Sequence, residues 1–66
     1  MITLVEAQNL QFGDTVIFQG ETYYIVETEE NSEGSINVRM NPLDRFALDR
    51  HFAFPKPFTF ELISRL

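Results

Sequence analysis

The strongest structural instruction in this chain runs from Thr15 to Val26. Thr15-Val16-Ile17-Phe18-Gln19 and Thr22-Tyr23-Tyr24-Ile25-Val26 are two runs of β-branched and aromatic residues, broken only by Gly20-Glu21. Side chains of this kind fit a pleated, half-buried surface and lose rotamer freedom in a helix. Glycine supplies the positive φ that a tight hairpin turn needs. With Gly20-Glu21 as a two-residue type II′ loop, Gln19 pairs with Thr22, Phe18 with Tyr23, Ile17 with Tyr24 and Val16 with Ile25. Opposed residues point the same way, so Val16, Phe18, Tyr23 and Ile25 form one apolar face. Ile17, Tyr24 and Val26 fall on the other. That second face is too apolar for ordinary solvated surface. Either a closing strand covers it or it is a contact surface.

The rest of the chain repeats the pattern. Ser35–Asn41 alternates cleanly, with Ile36, Val38 and Met40 against Ser35, Asn37 and Arg39, as a strand with one face in the core does. Phe52 and Phe54 alternate before Pro55-Lys56-Pro57 interrupts pairing. Phe58, Phe60 and Leu62 then resume opposite Thr59, Glu61 and Ile63 in a final strand. Glu27 to Gly34 reads as a loop. Ile2–Val5 is a short first strand, or Thr3 and Glu6 form a capping box for one helical turn. Between Asn41 and His51 two readings stay open. Asn41-Pro42 followed by Asp44 resembles a helix start, giving one short helix near 42–50, while the five-residue near-repeat Leu43-Asp44-Arg45-Phe46 and Leu48-Asp49-Arg50-His51 fits a turn leading into a strand.

Sixty-six residues make a single small β domain over 1–66, and a chain so short buries little of its own surface. Small domains compensate with disulfides, a metal, oligomerisation or a dense core. Cysteine is absent and His51 is the one histidine, so no disulfide, structural zinc or other cofactor is expected. What is left is a core fed by seven phenylalanines, or a homodimer that completes it. No basic leader opens the sequence and no apolar run approaches a membrane span. With the lack of cysteine, this gives the expectation of a cytoplasmic protein without a membrane partner.

About five short strands separated by turn chemistry close most naturally as a small barrel or a strongly bent antiparallel sheet. The run Leu10-x-x-Gly13-Asp14-x-Val16-x-Phe18-x-Gly20-x-x-Tyr23-x-Ile25 resembles the opening hairpin of SH3-like small β-barrel proteins. The resemblance implies a mainly β, SH3-like barrel and nothing about activity. The acidic-aromatic signature of a polyproline groove is missing, so that recognition does not carry over.

Charge divides the chain. Residues 1–34 hold seven acids and no Lys or Arg, while residues 35–66 hold five Lys/Arg and three acids, for a net −5. An acidic protein repels phosphate backbones at long range. Three candidate sites follow. The acidic stretch Glu29, Asn31, Glu33 and Gly34 falls on the first ligand positions of a calcium loop, yet the twelfth position is Met40 and the flanks read as strands; the plain reading is a solvated turn. His51 beside Asp44 and Asp49, with Ser32, Ser35 and Ser64 elsewhere, offers catalytic residue types without any signature that would hold them in register. The expectation is a non-enzyme with no small-molecule substrate, in a chain with little volume for a cavity of about 300 Å³.

Arg39, Arg45, Arg50 and Lys56 are interleaved with Phe46, Phe52, Phe54 and Phe58, the mixture that single-stranded nucleic acid needs. Against this, Asp44 and Asp49 sit beside the arginines, and the phenylalanines are wanted for the core. The preferred expectation is a non-catalytic protein-interaction or accessory module that uses Ile17, Tyr24 and Val26 for a protein partner or a second copy. A small nucleic-acid-binding barrel using Arg39, Arg45, Arg50 and Lys56 is the alternative.

Overall fold

A computed structural model describes residues 2–43 and 47–65. The fold is mainly β. Its strands are β1 (Thr3–Glu6), β2 (Thr15–Phe18), β3 (Glu21–Glu30), β4 (Ser35–Asn41), β5 (Arg50–Pro55) and β6 (Thr59–Ser64), with one 3-10 turn at Ala7–Asn9. All pairings are antiparallel, in the order β1-β6-β2-β3-β4-β5. No helix among the described residues is long and apolar enough to cross a membrane.

The connection between β5 and β6 forces this sheet to curl. In the strand order, β4, β3 and β2 lie between them, so a flat sheet would hold them about 19 Å apart at the usual strand spacing. The chain from Pro55 to Thr59 can span only about 14 Å. The sheet therefore rolls until β5 and β6 face each other across the core. The Phe54 ring lies 4.9 Å from Phe60 and 5.2 Å from Phe18. Phe18 also meets Phe52 edge-on at 5.3 Å. Around these rings pack Val5, Leu10, Val16, Tyr23, Ile25, Ile36, Val38 and Met40. Five of the seven phenylalanines, Phe18, Phe52, Phe54, Phe58 and Phe60, thus cluster in the dense packing that a small domain needs in place of a disulfide or metal.

The central hairpin turns one residue earlier than the sequence suggested. Val16 pairs with Tyr23 and Phe18 with Glu21, leaving Gln19-Gly20 as the loop. Both loop residues have positive φ, 51° and 79°, which is the type I′ turn whose twist matches the strands. Every partner moves by two positions, an even slip, so the faces are unchanged. Val16, Tyr23 and Ile25 are buried and Phe18 packs against them.

Other boundaries also move. β3 runs on through Glu30, so the acidic segment from Glu27 is half strand and only Asn31–Gly34 turns. The Asn31 side chain holds that turn, its Oδ1 accepting from the Glu33 and Ser35 N–H groups at 2.9 and 3.1 Å. Thr3 and Glu6 belong to β1, and the 3-10 turn that follows has no side-chain cap. Of the two readings left open for 42–50, a short helix or a turn leading into a strand, the described part fits the second: residues 47–49 are irregular and Arg50 begins β5; Asp44, Arg45 and Phe46 lie outside the described residues. Asn41 closes that loop. Its Oδ1 accepts from the Leu43 N–H at 3.0 Å and its Nδ2 donates to Asp49 at 3.1 Å, the local bonding that competes with a helix start.

Candidate functional site

The side of the sheet turned away from the core is divided in two by a bulge. β3 pairs regularly with β4 up to Ile25–Met40, then resumes at Glu27–Arg39, leaving Val26 as the extra residue. A bulge bends its strand and turns an additional side chain outward. On one side of it the outer face is apolar. On the other it is charged.

The apolar half is built from β1, β6, β2 and the first part of β3. Leu4 pairs with Glu61, Glu61 with Ile17, and Ile17 with Thr22, giving one row across four strands. Tyr24 lies opposite Thr15 on the same side. Phe12, in the turn before β2, sets its ring edge-on to Tyr24 at 6.0 Å. Ile17, Tyr24 and Val26 are all half-buried, so the three residues singled out in the sequence share a face that neighbours partly cover and no strand among the described residues closes over. The exposed part of the patch comes from residues that the sequence reading did not assign to it. Phe12 is 67% exposed, Ile2 67%, Leu4 63% and Ile63 53%. Leu4 and Ile63 were legible from alternation, since each stands out of phase with a core neighbour, Val5 and Leu62. Phe12 precedes its strand and carried no such signal.

Glu61 is the exception in this patch. It lies between Leu4 and Ile17, half-buried. Among the described residues it has no salt bridge.

The charged half forms an open groove of about 420 Å³ lined by Glu27, Glu29, Asn37, Arg39, His51 and Ala53, with Val38 and Phe52 below. The groove is a depression open to one side, not an enclosed cavity. Arg39 pairs across the sheet with Glu27 and His51. Its guanidinium lies 3.7 Å from Asp49, and the buried Nε has no hydrogen bond among the described residues.

The other basic residues of the nucleic-acid reading are placed beside acids. Arg50 lies 3.8 Å from Glu21 and donates to the Tyr23 hydroxyl at 3.1 Å. Lys56 lies 3.2 Å from Glu30. Arg45 is outside the described residues. Of the aromatic rings proposed for stacking, Phe54 is buried, Phe52 is half-buried, and Phe58 is 37% exposed and stacked on Phe54 at 5.0 Å; Phe46 is not described.

Sequence reasoning missed one polar anchor. Asp14 is fully buried and accepts from Arg65 Nε at 2.8 Å and Nη2 at 2.9 Å, and from the Gln11 N–H at 2.9 Å. Burial alone would raise the Asp14 carboxyl. The Arg65 hydrogen bonds, the Gln11 N–H and the Arg65 charge outweigh it and hold the group below its usual 3.8. Residues so far apart in sequence give no local signal of such a pair. Arg65 is thereby committed to structure.

Comparison with protein-family models, with curated proteins and with solved structures finds no match to this chain.

Proposed function

We propose that this domain is a non-catalytic protein-interaction module, of the SH3-like kind in its rolled sheet, and that it docks through the apolar half of its outer face. The observation that carries the reading is the cluster of Phe12 on Tyr24 with Leu4, Ile17, Val26 and Ile63 on one side of the sheet. Exposed apolar side chains gathered on one face mark interaction sites. Tyrosine and phenylalanine at its centre are the side chains that anchor interfaces. The curl imposed by the β5–β6 connection supports the likeness to small barrels, and among the described residues β1 and β5 are edge strands, where a partner's strand could add.

The test is affinity purification of the tagged protein and of its F12D variant from the native host at mild salt. A stoichiometric protein companion lost from F12D, with no nuclease-sensitive absorbance at 260 nm, is the expected result. A companion retained by F12D, or nucleic acid that leaves as salt is raised, contradicts it. Because Phe12 is largely exposed, its replacement leaves the core intact and the comparison is between folded proteins.

A further inference from the structure

We infer that the partner of the apolar face is a basic amphipathic segment, one that places a lysine or arginine on Glu61 while its apolar side chains cover Leu4, Ile17 and Tyr24. This rests on the interaction reading above and adds the chemistry of the occupant.

Closing the face changes the surroundings of Glu61. The carboxylate stands between Leu4 on β1 and Ile17 on β2 and has no salt-bridge partner among the described residues. In the open domain water solvates it. Any occupant that covers Leu4 and Ile17 strips that water away. A carboxylate buried without a partner is strongly disfavoured, and an apolar or acidic occupant does nothing to offset that. A cation from the occupant replaces the water and converts the cost into a charge-assisted hydrogen bond.

The same residue disfavours other occupants. In a two-fold dimer through this face, two copies of Glu61 would enter one apolar interface, on chains that each carry −5. An anionic lipid surface would meet the same carboxylate and the same net charge. A basic segment is also drawn to the protein from a distance, because the whole chain is acidic. Affinity comes from the apolar contacts and selection from Glu61.

Three probes test this by NMR titration of the labelled domain: an amphipathic peptide of leucine and lysine, its leucine–glutamate counterpart, and an uncharged leucine–glutamine peptide. The expected result is that the lysine peptide shifts the amides of Leu4, Phe12, Ile17, Tyr24 and Ile63. E61Q should weaken it by about three- to tenfold. E27Q removes an equal charge from the groove and should change the affinity much less. The glutamate peptide should not bind. If E61Q and E27Q weaken the lysine peptide equally, attraction is to net charge alone and the inference falls. If the glutamine peptide binds the same amides as tightly as the lysine peptide, the inference falls while the interaction reading stands. If no peptide moves those amides, both the basic occupant and the docking role assigned to this face are overturned; if the unaltered domain dimerises through them in sedimentation, the basic occupant is overturned.

Discussion

The buried carboxylate of Asp14 receives two hydrogen bonds from Arg65, Nε at 2.8 Å and Nη2 at 2.9 Å, and so ties the turn before β2 to the end of β6. Arg65 Nη2 also reaches the Asn9 carbonyl at 3.3 Å. One guanidinium thereby fixes the position of the Gln11–Asp14 turn that carries Phe12.

This pair gives the domain a specific acid sensitivity. The Asp14 carboxyl is held below 3.8 in the folded state, so the unfolded chain takes up this proton first as pH falls. The stabilisation is fully present above the unfolded value and is lost as pH drops through the lowered folded value. Urea midpoints measured from neutral pH to about pH 2 should fall in that acid window. R65Q should be less stable at neutral pH and should lose the Asp14 share of the acid dependence. An unchanged acid slope in R65Q would count against the pair.

D14A removes the acceptor for the Gln11 N–H and empties a fully buried site. A cost of about 1–3 kcal/mol is expected from denaturant unfolding. In so small a domain this is a large share of the total stability.

F60A should be the more severe change. Phe60 is 2% exposed and packs against Phe54, Phe58 and Phe18, so truncation should cost about 3–5 kcal/mol. F58A, at a ring already 37% exposed, should cost clearly less. Circular dichroism at moderate temperature should show F60A largely unfolded and F58A folded.

The turn register also predicts. Gln19 and Gly20 both hold positive φ, and the space at Gly20 is open. G20A therefore tests conformation alone, and about 1 kcal/mol of destabilisation is expected. Q19N should stabilise slightly, because Asn-Gly is the preferred type I′ pair. Had the loop been Gly20-Glu21, Q19N would bring no such gain.

Alternation made the inward faces of β2, the first half of β3, β4, β5 and β6 readable, because a period of two survives any even error in pairing. That is why Val16, Phe18, Tyr23 and Ile25 were placed correctly from a register that was not. Ser35–Asn41 matched β4 to the residue, since every second side chain there is apolar. The extent of β3 was hidden by its acids: Glu27 and Glu29 face outward into the groove, where charge is tolerated, and composition alone reads them as loop. The candidate face was half legible. Ile17, Tyr24 and Val26 stood out inside an obvious hairpin, but Phe12 joined them only through the turn that Asp14 and Arg65 hold, a contact between distant residues that no local pattern encodes.

The central claim, that the outer apolar face docks a protein, is tested most directly by placing a photo-reactive phenylalanine analogue at position 12 and, for comparison, at position 53 in the charged groove. Irradiation in the native host should attach a discrete protein through position 12, with much less through position 53. Capture through position 53 alone, or of nucleic acid through either, would contradict the account.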